Sequence, residues 1–133
     1  MPHRIFVVDD HPVMLDAYTT LLGHDPDLET CGTAKSGAEA IDMLTAPSGE
    51  PDCDLVVTDY RMAGMNGAEL VRRLMTLRPG LPAVVVSAHE DGAFAREALE
   101  AGATAFLRKR DLMDTLVPTI RAVLGGQRGE DAG

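Results

Sequence analysis

The chain has 133 residues, of which 45% are hydrophobic, 25% are charged and 4% are aromatic, with no Trp. This length and composition are ordinary for one globular domain with a single buried core. The formal net charge of -9 argues against direct binding to nucleic acid, which favours a basic surface, and against a polybasic contact with a membrane.

Apolar runs alternate along the chain with segments of helical spacing. Five runs predict strands, and they are Arg4 to Val8, Leu28 to Ala34, Val56 to Thr58, Ala83 to Val86 and Ala103 to Leu107. The run Leu28 to Ala34 is more polar and is expected nearer an edge of the sheet. The intervening helices are predicted from apolar side chains at a period of 3.6 residues, including Val13 in the first, Leu77 in the third and Leu99 in the fourth. Ser36 with Glu39 is a capping signal that opens the second helix.

The last predicted helix spans 111–124. Pro118 predicts a late start or a kink, because proline inside a helix removes one backbone hydrogen bond. Residues 125–133 are polar and rich in glycine, which predicts a flexible tail or the start of a linker to a missing output domain. The predicted domain is therefore 1–124.

Five strands that alternate with five helices favour a parallel sheet with helices on both faces, because crossovers between parallel strands are right-handed. The predicted fold is an α/β, flavodoxin-like doubly wound (βα)5 sandwich with strand order 2-1-3-4-5. Its ligand crevice lies between strands one and three. That crevice joins Asp9 and Asp10 to Asp59.

Cys31 and Cys53 are far apart and form no CxxC motif, so neither a redox motif nor a zinc site is predicted. Both are interpreted as reduced, buried thiols. The sequence shows no pattern of a signal peptide and no apolar run long enough to span a bilayer. We therefore expect a cytoplasmic protein without a membrane contact.

Polar side chains stand where four of the predicted strands end, and they are Asp9, Asp10, Asp59, Ser87 and Lys109. The carboxyl ends of parallel strands meet at one edge of a sheet, where α/β folds bind ligands, so these groups are predicted to form one site. Clustered carboxylates favour a hard divalent cation such as Mg²⁺. Acids around a metal, a hydroxyl and a lysine suit phosphoryl transfer, with Asp59 as the candidate nucleophile.

Each of these residues has a simpler interpretation when it is taken alone. The acids are common helix caps or turn residues, and Lys109 is typical of a solvated surface. His11 and His89 are interpreted as loop residues rather than as metal ligands. The functional interpretation depends on the coincidence of the polar groups at one edge of the sheet.

At these residues the chain resembles the receiver domains of response regulators in two-component signalling, over nearly all of residues 3–124. The resemblance depends on Val8-Asp9-Asp10-His11-Pro12, Asp59 with Met62-Ala63-Gly64-Met65-Asn66-Gly67, Ser87-Ala88, and Gly102-Ala103 through Phe106-Leu107-Arg108-Lys109. The Asp-Asp-His-Pro segment and Ser87-Ala88-His89-Glu90-Asp91 are most similar to the NarL/LuxR-type subgroup. Members of that subgroup usually carry a helix-turn-helix DNA-binding domain after the receiver.

The resemblance implies that Asp59 accepts a phosphoryl group from a sensor histidine kinase. It implies that Asp10, Asp59 and the backbone carbonyl of Arg61 bind Mg²⁺, with Asp9 acting through water. Lys109 would pair with the phosphoryl oxygens.

The same resemblance implies a two-state switch rather than an enzyme, one that assists its own phosphorylation and dephosphorylation. Ser87 would turn inward to bond the phosphate, and Phe106 would follow it into a buried rotamer. The face of helix four, strand five and helix five would control an output, which we expect to be transcription. A homodimer is a possible partner state, and DNA would be contacted only through an output domain absent from this chain.

One departure from the family pattern is Ala63, which stands where the family usually has proline. Two alternatives stay open: a receiver fold that docks a partner without phosphate, and a phosphatase of the haloacid-dehalogenase type, which also uses an Asp nucleophile. The phosphatase fits less well, because that family needs its nucleophile on the first strand with a second acid two residues later. Two residues beyond Asp59 is Arg61.

Overall fold

Five parallel strands form one sheet in the order β2-β1-β3-β4-β5, as the sequence predicts. In this computed structural model, residues 2–49, 52–88 and 92–132 are described, with 126–132 described for their backbone alone. The strands are β1 (His3–Val8), β2 (Leu28–Ala34), β3 (Leu55–Asp59), β4 (Ala83–Ser87) and β5 (Ala105–Arg108).

The helices cover both faces of the sheet. They are α1 (Pro12–Gly23), α2 (Gly37–Leu44), α3 (Gly67–Leu77), α4 (Gly92–Ala101) and α5 (Leu112–Ala132), with a 3-10 turn at Lys109–Asp111 before α5. The predicted capping signal is present at α2, because the Ser36 hydroxyl accepts a hydrogen bond from the Glu39 N–H at 3.1 Å. Asn66 caps α3 in the same way through the Glu69 N–H at 2.9 Å.

The central strands are the most buried part of the molecule. β3 and β4 are buried along their whole length, whereas the edge strands β2 and β5 are only partly buried. Alternate residues of a strand point to opposite faces, so Ile5 and Val57 pack with α1 and α5, and Phe6 and Val56 pack with α2 and α3. Burial on both faces explains why the central strands read as continuous apolar runs.

Some local expectations are wrong. Three residues assigned to inner faces of helices are exposed: Val13 by 78%, Leu77 by 49% and Leu99 by 49%. The helical period of apolar residues also includes side chains at the edge of the buried face. Whether such a side chain is buried or exposed depends on the elements that pack against the helix. The predicted start of the fourth helix at Asp91, and His89, lie outside the described residues.

The C-terminal helix also differs from the prediction. α5 begins at Leu112 with Pro118 in its interior, so there is no late start, and it continues past Leu124 to Ala132. Residues 125–132 of the segment predicted as a tail are therefore helical, and Gly133 lies outside the described residues. Glycine lowers helix stability by about 1 kcal/mol per residue relative to alanine without preventing the helix, and here the preceding turns of α5 are anchored by buried Leu116 and Ile120.

The two cysteines are both free, and Cys53 is buried, whereas Cys31 is only partly buried. The fold places both in the same apolar cluster although they are far apart in sequence. Across the described ranges, no helix has both the length and the apolar character needed to cross a bilayer.

Candidate functional site

The sheet register brings the predicted polar residues to one edge. Val8 pairs with Thr58, Asp59 with Val86, and Ser87 with Arg108. Asp9 and Asp10 follow β1 directly, and Lys109 follows β5. Strand pairing therefore places the ends of β1, β3, β4 and β5 side by side, which is the arrangement that the sequence predicts.

Four side chains converge between the ends of β1 and β3. Asp9, Asp10, His11 and Asp59 each offer a ligand atom, and these atoms lie within 4.8 Å of one another. Asp9 is fully buried and Asp59 is 3% exposed. Such close packing of acids out of water is costly unless positive charge lies nearby.

Lys109 supplies part of that positive charge. Its Nζ donates a hydrogen bond to Asp59 Oδ2 at 3.2 Å, and it lies 3.6 Å from Asp9 Oδ2. Burial raises the pKa of Asp59 above its ordinary value, the nearby Asp9 raises it further, and Lys109 opposes both effects. The direction of the shift means that one ammonium does not offset the burial of the acids.

The remaining charge imbalance fits a divalent cation. Among the described side chains, Asp9 Oδ2 and Asp10 Oδ1 are buried oxygens that accept no hydrogen bond. A buried carboxylate oxygen without a hydrogen bond is unfavourable, and several such oxygens together are the donor set that Mg²⁺ prefers. The residues present therefore fit Mg²⁺.

The segment after Asp59 folds back tightly over the end of β3. The Gly67 N–H donates to the Tyr60 carbonyl at 2.7 Å, and a Cβ added at Gly67 would lie 2.5 Å from the Asp59 carbonyl oxygen. Only glycine permits this approach without movement. The close return positions the loop beside the acids.

Ala63 has a role that the sequence does not reveal. Its backbone N–H donates to Asp10 Oδ2 at 3.3 Å. Proline has no N–H, so the departure from the family pattern adds a hydrogen-bond donor at one of the acids.

The remaining residues predicted at the site are Arg61, Ser87 and Phe106, and their surroundings differ. Arg61 lines the same open cleft as Asp10, with a volume of about 730 Å³. Ser87 is fully buried at the end of β4. Phe106 is partly buried on β5 and packs against the cluster that contains Tyr60 and Val85.

Two further features at the site have weak sequence signals. His11, interpreted as a loop residue, has its Nδ1 3.1 Å from Asp9 Oδ1 and 3.0 Å from Asp10 Oδ1. Tyr60 stacks on Phe94 of α4, and its hydroxyl donates to the Glu97 carboxylate. Adjacency to Asp10 is the signal that could have identified His11, whereas pairing of Tyr60 with α4 depends on the fold.

A model of the family described as "Response regulator receiver domain" matches residues 5–121. Response regulator GacA of Pseudomonas protegens is 34% identical over 125 residues, which are 94% of this chain and 57% of GacA. The probable transcriptional regulatory protein NarL of Mycobacterium tuberculosis is 32% identical over 128 residues, which are 96% of this chain and 56% of that protein.

A solved structure supports the same relationship. A two-component response regulator of the LuxR family from Aurantimonas sp. superposes with a TM-score of 0.86 at 29% identity, covering 95% of this chain and 87% of that chain. The present chain spans little more than half the length of GacA and NarL.

Proposed function

The chain belongs to the receiver-domain family of response regulators and is similar to its NarL/LuxR-type members, and on this basis we propose that Asp59 is the phosphoacceptor of a phosphorylation-dependent switch. The observation that carries the proposal is the contact of Lys109 Nζ with Asp59 Oδ2 at 3.2 Å, beside the buried Asp9. An ammonium on the acceptor carboxylate is positioned to pair with phosphoryl oxygens, and the acids beside it supply the cation ligands that phosphoryl transfer needs.

The proposed reaction takes a phosphoryl group from a phosphohistidine of a sensor histidine kinase. A carboxylate oxygen of Asp59 attacks phosphorus, the P–N bond to the kinase histidine breaks, and an acyl phosphate forms on Asp59. The released imidazole takes a proton from solvent. Lys109 holds a phosphoryl oxygen through its ammonium, and Ser87 turns inward so that its hydroxyl donates to another.

Asp10, Asp59 and the Arg61 carbonyl are the proposed ligands of Mg²⁺, with Asp9 acting through a water molecule. When bound, Mg²⁺ neutralises the charge on the phosphoryl oxygens. The buried oxygens of Asp9 and Asp10 that accept no hydrogen bond support this assignment.

The proposed switch transmits the charge event to the face formed by α4, β5 and α5. Phe106 on β5 packs against the cluster that includes Ala98 and Ala101 of α4. If Phe106 changes rotamer when Ser87 turns inward, the packing of α4 on the sheet would therefore change as well. A local charge event can shift the relative populations of two such packing arrangements.

Output and partners follow from the relatives and are part of the proposal. A sensor histidine kinase is the proposed phosphodonor, and the output is proposed to be transcription through a DNA-binding domain connected to α5 in the complete protein. The receiver itself carries a net charge of -9, which does not suit DNA contact. Phosphorylation-dependent homodimerisation is proposed as well, and an unchanged molecular weight with and without beryllium fluoride would count against it.

The test of the phosphoacceptor is intact mass after incubation with acetyl phosphate and Mg²⁺, on the wild type and on Asp59→Asn. We expect one added phosphoryl group that requires Mg²⁺ and is absent from the variant. Binding of beryllium fluoride, a stable mimic of the acyl phosphate, excludes rapid turnover as the reason for an unchanged mass. If the chain is not phosphorylated and does not bind beryllium fluoride, the proposal is contradicted, and a docking module that works without phosphate is favoured.

A further inference from the structure

Tyr18 is a buried phenol whose hydroxyl lacks a bonding partner. Its side chain is fully buried in the apolar cluster between the sheet and the helices α1 and α5. Within the described part of the chain, the hydroxyl makes no hydrogen bond. A buried polar group without a partner is unfavourable in free energy and calls for a physical explanation.

The strands place two acids of the site on the face of the sheet where Tyr18 packs. Asp9 continues β1, since its N–H donates to a carbonyl of β2 at 3.1 Å. Alternate residues of a strand point to the same face, so Asp9 lies on the face of Val7. By the same alternation, Asp59 lies on the face of Val57. Val7 and Val57 belong to the cluster that contains Tyr18.

The direction of α1 turns the Tyr18 side chain back toward these acids. α1 begins at Pro12, beside the edge of the sheet where the acids lie, and Tyr18 follows about 9 Å further along the helix axis. Side chains of a helix tilt toward its N-terminus, so the phenol extends toward that edge. Burial raises the pKa of Tyr18 above its ordinary value, and the charges of Asp9 and Asp59 raise it further. The phenol therefore stays protonated and is a hydrogen-bond donor.

We propose that Tyr18 is a positioning residue of the phosphorylation site, and that its hydroxyl donates to Asp9 Oδ2 once Lys109 has moved to the phosphoryl group. The inference rests on the proposed function, because it concerns the phosphorylated state of the same site. Tyr18 contacts neither the phosphoryl group nor the cation in this scheme, and it acts through Asp9.

The argument depends on the positive charge that Lys109 withdraws from Asp9. Lys109 Nζ lies 3.6 Å from Asp9 Oδ2, which is buried and accepts no hydrogen bond among the described residues. When the ammonium pairs with phosphoryl oxygens, this oxygen loses that charge and remains out of water. A buried carboxylate oxygen then needs a donor. The Tyr18 hydroxyl can supply one without breaking another bond.

The hydroxyl should have opposite effects on the two states of the site. Without a phosphoryl group it is a buried donor without an acceptor, so Tyr18→Phe, which keeps the ring, should be at least as stable as the wild type. With a phosphoryl mimic bound, the variant lacks the donor for Asp9 and should bind the mimic more weakly. A purely structural role would change stability and binding in the same direction.

The experiment compares the full wild-type chain with Tyr18→Phe in urea unfolding without ligand and in binding of beryllium fluoride at saturating Mg²⁺, followed by ¹⁹F NMR. We expect unfolding at an equal or higher urea concentration and a dissociation constant for beryllium fluoride that is raised about fivefold, as for one lost hydrogen bond. Thr19→Val is the matched control, because it removes a hydroxyl of α1 that donates to the Leu15 carbonyl at 2.9 Å. It should leave the affinity for beryllium fluoride unchanged.

A second measurement reads the Tyr18 hydroxyl in the wild type directly. The chain has two tyrosines, so the ζ-carbon signals in a ¹³C NMR spectrum can be assigned with Tyr18→Phe. We expect the Tyr18 signal to move downfield when beryllium fluoride binds, because the hydroxyl becomes a hydrogen-bond donor.

The outcomes separate the inference from the proposed function. Equal affinity of the wild type and Tyr18→Phe for beryllium fluoride would overturn the inference and leave the phosphoacceptor intact. So would a Tyr18 ζ-carbon signal that does not move, or a variant that is already less stable without ligand, since the hydroxyl would then have a partner in the resting state. Failure of the wild type to bind beryllium fluoride with Mg²⁺ would overturn the proposed function and the inference together.

Discussion

The ring of Tyr60 stacks on the ring of Phe94, with centroids 4.4 Å apart and planes inclined by 19°. Tyr60 follows Asp59 directly, and Phe94 lies in α4, so this pair joins the end of β3, with its proposed phosphoacceptor, to a helix of the proposed output face. The Tyr60 hydroxyl also donates to Glu97 in the next turn of α4. Only Ala98 and Ala101 of α4 are buried among its described residues, so these contacts add to a small apolar interface in holding the helix.

Tyr60→Phe removes the hydrogen bond to Glu97 and keeps the ring stack. We expect α4 to be destabilised by about 1 kcal/mol, because Glu97 loses its partner, which corresponds to roughly fivefold faster exchange of α4 amides. Hydrogen exchange followed by mass spectrometry measures this directly. Glu97→Gln keeps an acceptor for the hydroxyl and is the control; equal exchange in wild type and Tyr60→Phe would show that the hydroxyl does not anchor α4.

Gly67→Ala should destabilise the fold, because the added Cβ would lie 2.5 Å from the Asp59 carbonyl oxygen and 2.9 Å from Tyr60 Cα. Overpacking against backbone typically costs about 1–3 kcal/mol, which urea unfolding can measure. Gly92→Ala is matched, since Gly92 also begins a helix but a Cβ there has no atom within 4 Å. That variant should be neutral or more stable by less than about 1 kcal/mol. Similar stability of the two variants would contradict the prediction.

Asp59→Asn should raise the free energy of unfolding at pH 7 in buffer with EDTA. The pKa of Asp59 is raised by burial and by Asp9, so ionisation of this carboxyl destabilises the folded state. Between its ordinary pKa of 3.8 and the raised value, the folded state binds more protons than the unfolded state, and stability falls as pH rises.

The advantage of Asp59→Asn should therefore be full above the raised pKa and vanish as the pH falls below 3.8. Thermal unfolding of both proteins across this range is the measurement. A variant that is less stable than the wild type at pH 7 would mean that the lost bond to Lys109 outweighs the relief of burial and repulsion, contrary to the expectation.

Ala63→Pro removes the N–H that donates to Asp10 Oδ2 at 3.3 Å. We expect Mg²⁺ affinity to fall by about two- to fivefold, because Asp10 loses a group that orients it, at a cost of about 0.5–1 kcal/mol. Isothermal titration with Mg²⁺ gives the affinity, and Ala63→Ser, which keeps the N–H, should match the wild type. Unchanged affinity in Ala63→Pro would assign no orienting role to this bond.

Much of the fold could be predicted from local patterns. The continuous apolar run of Val84, Val85 and Val86 indicates a strand buried on both faces, and alternation of such strands with helices leaves few topologies. The predicted strand order is the one observed. Polar residues at the ends of these runs, such as Asp9 and Asp59, predict the location of the site, because the carboxyl ends of parallel strands lie at a common edge of the sheet.

The positions that could not be predicted are those at which distant segments meet. Leu77 and Leu99 satisfy the helical period but are exposed, because the width of a buried stripe depends on the neighbouring elements. The end of α5 lies beyond the predicted end at residue 124, because glycine disfavours a helix only weakly and the packed turns before it can outweigh that effect.

The sequence by itself determined the order of strands, the edge at which the acids collect and the residue types available there, since these depend on local periodicity and on the handedness of the chain. Only the tertiary structure decided that His11 turns toward two carboxylates, that the Ala63 N–H reaches Asp10, and that Tyr60 packs on α4. Those contacts depend on distances of a few ångströms between segments. Such distances follow from the packing of the whole core rather than from the pattern of any one segment.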